Sequence, residues 1–180
     1  EKTLSEHLKQ SRPGWKIIIK DSKSLEENKK NEGMCWTLDP INGISNFNRG
    51  IPFFAIILGV KKNNETIASS IYDPIRDEFY FAEKGKGAFL NDRRIRVSSR
   101  NELLNSLISV DVDYDFFLKI FNKFNFQNFR LISCNALSIA WVCCGKLDCY
   151  IGENINLNIK TNGSLLLRES GGFFNEFFFN

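Results

Sequence analysis

Residues 53–61, FFAIILGVK, form a continuous apolar run, and no other stretch constrains the fold as strongly. Such a run is expected for a central strand covered on both faces. The residues after it fix its neighbours. Asn63-Asn64 reads as a tight hairpin turn, since Asn tolerates positive φ. Residues 66–72 (TIASSIY) are then the return strand. Asp73-Pro74 opens a second turn, residues 78–82 (EFYFA) continue the meander, and Gly85 and Gly87 mark a third turn before FLN and RIRV.

Around this meander the spacing predicts helices. Leu4 and Leu8 lie four apart in residues 1–10, a short amphipathic helix ended by Pro13 and Gly14. Residues 15–19 (WKIII) read as a strand, residues 20–33 as a charged loop, and residues 34–39 (MCWTLD) as a strand stopped by Pro40. Residues 113–124 place Phe116, Phe117, Ile120, Phe121 and Phe124 on one side of a helix, where they read as core. Residues 135–144 (NALSIAWVCC) look like a buried helix ended by Gly145. Residues 160–170 look like another, closed by Gly171-Gly172. Strands in a meander with interspersed helices indicate a layered α/β or α+β domain.

Composition excludes several classes. With 43% apolar and 25% charged residues, the 180-residue chain is neither collagen-like nor disordered. No run of about 18 apolar residues is present, so no transmembrane helix is expected. A net charge of +3 is too weak to argue for nucleic acid by itself. Lys84, Lys86, Arg93, Arg94, Arg96 and Arg100 form a basic stretch with a surface reading and an RNA contact as the functional alternative. The five cysteines lie in apolar runs without metal-ligand spacing, and read as buried reduced thiols. His7 reads as an exposed helix residue. The chain opens on Glu1 without a signal-peptide pattern, and reads as a piece of something or a sequence with a lost beginning.

The chemistry concentrates in WTLDPINGISNFNRGIPFFAIILGV, residues 36–60. This segment resembles the signature of the inositol monophosphatase family, W-x-[IL]-D-P-[IL]-D-G-T-x-N-F followed by a Pro and an apolar strand. Trp36, Asp39, Pro40, Ile41, Gly43, Asn46, Phe47 and Pro52 match in register. YDPIRDEFYFAEKGKGAFLNDRRIRVS (72–98), AWVCCGKLDCYIG (140–152) and LLLRESGGFF (165–174) resemble later family segments in the same order. The nearest likeness is to the bacterial extragenic-suppressor branch.

The resemblance implies an αβαβα layered sandwich, α+β in character, and Mg²⁺-assisted hydrolysis of inositol phosphate or a similar small phosphate ester. It also implies an N-terminal helical section and closing strands that this single domain, residues 1–180, is expected to lack. Asp39 matches the first metal-binding Asp, and Ile41 matches the residue that lends its carbonyl. Asn42 stands where the second Asp belongs. Gly43, Ile44 and Ser45 match the phosphate-holding turn, with Ser45 and Asn46 expected to cap the helix that comes next. Ile44 replaces the Thr that orients the attacking water. Lys20-Asp21 aligns with the Glu-Glu pair, and Asn158-Ile159 with the Trp-Asp pair. Gly152, with Glu153 one position off, aligns with the Glu that binds the substrate hydroxyl.

These replacements lead to three expectations. Metal binding through Asp39, Ile41, Asn42 and Asp21 is weak or absent. No catalytic residue is intact, Lys20 and Ile44 being the degraded positions, so hydrolysis is impaired or lost. Lys20 pairs with Asp39 in place of the metal. The alternatives are a non-catalytic binding protein of the same fold, with RNA or a transcription complex as partner, and a decaying gene product. A cytoplasmic setting and a homodimer are expected from the family, and no membrane association.

Overall fold

Strands joined by short turns stay adjacent in space, and the larger sheet keeps chain order across its whole width. The computed structural model describes residues 2–19, 33–124 and 128–175. Within them β1 (Lys16–Ile19), β2 (Met34–Asn42), β3 (Ala55–Lys62), β4 (Glu65–Asp73), β5 (Glu78–Glu83), β6 (Gly87–Leu90) and β7 (Arg93–Arg94) stand side by side in that order. β1 runs parallel to β2, and the later neighbours are antiparallel. The β3–β4 turn is the expected one. Asn63 and Asn64 both take positive φ, +49° and +67°, which matches the twist of the flanking strands.

Two expectations about this sheet are corrected. β2 does not stop at Pro40 but runs on to Asn42. Asp39 faces Ile57 and Asn42 faces Ala55, so β2 carries one extra residue there and bulges. Proline has no N–H to donate, and a bulge is where a sheet tolerates that. Nor is β3 covered equally on both faces. Ala55, Ile57 and Gly59 are buried, whereas Ile56, Leu58 and Val60 between them are only half-buried.

The buried face packs on α4 (Asn135–Cys143) and α5 (Leu157–Glu169). Their Leu137, Ile139, Ile159, Leu165 and Leu166 join Ile57, Ile71 and Tyr80 in the main core. α5 starts three residues before the spacing suggests, because the Asn156 side chain accepts the Asn158 N–H at 2.8 Å and caps it. A row of small residues lets α5 approach closely. Thr37, Gly59, Ser69 and Ala82 are neighbours across β2 to β5. A Cβ on Gly59 would lie only 1.9 Å from Asn162 Oδ1. Asn162 Nδ2 donates to Thr37 Oγ1 at 3.0 Å, tying α5 to the strand that carries Asp39.

A second sheet was not visible in the sequence pattern. β8 (Leu107–Asp111), β9 (Asn128–Arg130) and β10 (Cys149–Gly152) form a parallel sheet in the order β10-β8-β9. β8 alternates between two layers. Ser109 shares a 2.8 Å hydrogen bond with Ser138 of α4, while Ile108 and Val110 pack with Ile120 of α3 (Tyr114–Lys123). α4 is thus enclosed between two sheets, which explains burial from Ala136 to Ala140. With α1 (Lys2–Ser11) against β1, the order of layers is αβαβα. Phe116 and Phe117 pack on the small sheet as expected; Phe121 sets its ring against Phe117 and Phe129 but, like Phe124, stays partly exposed. All five cysteines are free, and Cys35, Cys134 and Cys143 are buried. Among the described residues no helix is long and apolar enough to cross a membrane.

Candidate active site

The end of β2 brings the signature residues together. Asp39 is 1% exposed and Asn42 4% exposed. Gly43 comes next at φ +88°, and a Cβ there would lie 2.6 Å from the Phe53 carbonyl oxygen. Only glycine fits both the backbone and the space. The chain then enters α2 (Ile44–Asn48), a short turn of helix.

Ser45 and Asn46 do not cap it. Gly43 occupies the capping position, with no side-chain hydrogen bond, and Ser45 is exposed. Asn46 turns inward instead. Its Nδ2 donates to the carbonyls of Phe53 and Ile132, both at 2.9 Å, and of Ser133 at 3.3 Å. Those acceptors lie on the chain entering β3 and on the loop before α4, so Asn46 locks the turn to both. Ile44 is 56% exposed and presents no hydroxyl.

Asn42 has its amide engaged at both ends. Nδ2 donates to Asp39 Oδ2 at 3.3 Å. Oδ1 accepts the Ala136 N–H, in the first turn of α4, at 3.0 Å. The Cys134 thiol lies 3.4 Å from the same oxygen and 3.5 Å from the Asn42 backbone oxygen. Burial pushes the Cys134 pKa up to about 12, with Asp73 and Asp39 adding to the rise, so this thiol stays protonated and remains a donor at neutral pH.

Two partners in this neighbourhood carried no sequence signal beyond a turn. Asp73 is fully buried. Its Oδ1 accepts the backbone N–H groups of Ile75 and Arg76, and its Oδ2 accepts Arg76 Nη1 at 2.8 Å. The Arg76 guanidinium lies 5.2 Å from the ring centres of both Phe53 and Trp141. The D-P dipeptide announces the turn but not the ion pair of the buried Asp73 with the half-buried Arg76 side chain. Cys134 gave no signal at all, since it reaches Asn42 from 92 positions away.

The remaining candidates are placed elsewhere or engaged otherwise. Glu153 comes directly after β10, where its Oε2 accepts the Asp113 N–H at 3.3 Å and its own N–H donates to Asp111. It fastens the small sheet to the entry of α3. Asn158 is 1% exposed, and its Nδ2 has no hydrogen-bond partner among the described residues. Ile159 is 2% exposed and belongs to the main core. Lys20 and Asp21 lie outside the described residues, and so does the expected pairing of Lys20 with Asp39.

Mg²⁺ asks for about six hard oxygen ligands in near-octahedral array. Here the described donors are one carboxylate, the Ile41 carbonyl and an amide oxygen already facing an N–H and a thiol. Among the described residues no three His, Cys, Asp or Glu side chains are gathered for a metal. This donor set does not fit the ion.

Comparison with known proteins identifies the family. The model of the inositol monophosphatase family matches residues 1–178. An inositol-1-monophosphatase of Mesorhizobium japonicum is 30% identical over 96% of this chain and 67% of its own length. The Nus factor SuhB of Pasteurella multocida is 29% identical over 98% of this chain and 68% of its own. Among solved structures, the extragenic suppressor protein SuhB of Bartonella henselae superposes with a TM-score of 0.85 at 31% identity. It does so over 96% of this chain and 68% of that one. The chain therefore spans about two thirds of the length of these relatives.

Proposed function

The chain belongs to the inositol monophosphatase family, and we propose that it keeps the family's phosphomonoesterase scaffold with a site that no longer hydrolyses phosphate esters. The family is generally Mg²⁺-dependent; such an ion neutralises charge on the phosphate and on the leaving oxygen. Here Asp39 and Ile41 remain of the residues that would hold it, while Asn42 and Ile159 stand where two further carboxylates would be. The observation that carries the reading is Ile159. It aligns with a metal-binding Asp and packs at 2% exposure in the main core, where its aliphatic side chain offers no ligand. Asn42 supplies no charge, and Ile44 supplies no hydroxyl to orient water. Losing several ligands together removes the catalytic ion rather than tuning it.

Phosphate release from inositol 1-phosphate tests this. With Mg²⁺ present, the chain is expected to release no more phosphate than an Asp39→Ala variant. Mg²⁺-dependent turnover that Asp39→Ala abolishes would refute it.

A second reading, a binding protein of the same fold, has one feature in its favour. Arg93 and Arg94 are exposed on the short edge strand β7, whereas Lys84 and Lys86 nearby are paired with Glu65 and Glu83. Exposed edge arginines suit a phosphate backbone, and a relative bears the name Nus factor SuhB. Salt-sensitive RNA binding that Arg93→Ala with Arg94→Ala removes would support it; binding unaffected by both changes would not. The five free thiols support a reducing, cytoplasmic setting.

A further inference from the structure

Building on the reading of a silent site, we infer that the Asn42 amide takes over the structural work of a cation at the end of β2. It holds Asp39 to the start of α4 with no metal between them. A carboxylate at position 42, as in the family signature, would face the Asp39 carboxylate at hydrogen-bond distance. Two carboxylates so placed cannot both stay ionised unless a proton or a cation lies between them. The amide removes the conflict. Its Nδ2 N–H points at Asp39 Oδ2, 3.3 Å away, and turns the partial positive end of the amide toward the carboxylate.

The orientation of the amide is set by its neighbours. Turned over, its oxygen would face the Asp39 carboxylate, and its NH₂ would face the Ala136 N–H, an acceptor on an acceptor and a donor on a donor. In the orientation found, Oδ1 takes the Ala136 N–H at 3.0 Å, and the Cys134 sulfur closes its other side at 3.4 Å. The amide thus links three parts of the chain, β2, the loop before α4 and the first turn of α4.

Thermal melts of the chain in EDTA and in millimolar MgCl₂ test this. The unmodified chain is expected to melt at the same temperature in both, within about 1 °C, because an ion that does not bind the native state cannot stabilise it. Asn42→Asp is expected to lower the melting temperature in EDTA at neutral pH by about 5 °C. A Mg²⁺-dependent rise in the unmodified chain that Asp39→Ala abolishes would overturn the inference. So would an Asn42→Asp chain as stable as the parent in EDTA at neutral pH. If Asn42→Asp does not fold, the Mg²⁺ titration of the unmodified chain decides alone. Turnover with a flat melt would refute the silent site and leave the amide link standing. Mg²⁺ stabilisation without turnover would refute the link only.

Discussion

Two carboxylates of the matching motifs have met different fates in their surroundings. Glu169, at the end of α5, accepts the Gly85 and Gly87 backbone N–H groups, each at 2.8 Å, and so holds the β5–β6 turn. Asp39, at the end of β2, accepts the side-chain amide of Asn42. The partners of Glu169 are backbone groups, which survive almost any substitution nearby. A metal site depends on several side chains at once. Contacts made with the backbone tolerate substitution better than contacts made among side chains.

Ile159→Asp is the strongest way to break that contrast. If position 159 has become scaffold, a charge there is buried without a partner, and urea unfolding should show a loss of about 4 kcal/mol. A loss below about 1 kcal/mol would mean that the position still faces solvent or ligand. Gly59→Ala comes next. Its Cβ would meet Asn162 Oδ1 at 1.9 Å and Thr37 Oγ1 at 2.5 Å. Overpacking of this kind should cost about 3 kcal/mol, with part returned by adding Asn162→Ala.

Glu169→Gln sharpens the other side of the comparison. It weakens two charge-assisted hydrogen bonds and should cost about 2 kcal/mol, seen as faster amide exchange in the β5–β6 turn. Lys61→Met is the smallest expected effect and has the opposite sign. Burial pushes the Lys61 pKa down, with Cys35 opposing the shift. The charged form is therefore disfavoured on folding, and stability should rise with pH as it climbs from the folded pKa toward the unfolded value near 10.4. Replacing this lysine by Met should add about 1 kcal/mol at neutral pH and flatten that alkaline slope.

The meander was legible because its signals are local. Asn63-Asn64, Asp73-Pro74 and the glycines at 85 and 87 punctuate runs whose period matches strands. Pro40 misled because a proline marks either a strand end or a bulge, and only the pairing of Asp39 and Asn42 with β3 tells which. The three-stranded sheet was illegible for a related reason. Parallel strands are joined by long crossovers, so no hairpin turn links β8, β9 and β10. The signature turn could be read from residues 39 to 45, but the partners that hold it could not. Ala136 reaches Asn42 across 94 positions, and Asn46 reaches Ile132 across 86. No spacing rule links such pairs. Ile159 could be aligned from sequence, yet its place in the core came only from the packing of α5.

Side-by-side hydrolysis by the unmodified chain and by a chain carrying Lys20→Glu, Asn42→Asp, Ile44→Thr and Ile159→Asp tests the central claim most directly. Inositol 1-phosphate is the substrate, and phosphate release is measured across a Mg²⁺ series with Asp39→Ala as the background. The unmodified chain is predicted to stay on that background at every Mg²⁺ concentration, and the restored chain to rise above it as Mg²⁺ increases. Mg²⁺-dependent phosphate release by the unmodified chain would contradict the account.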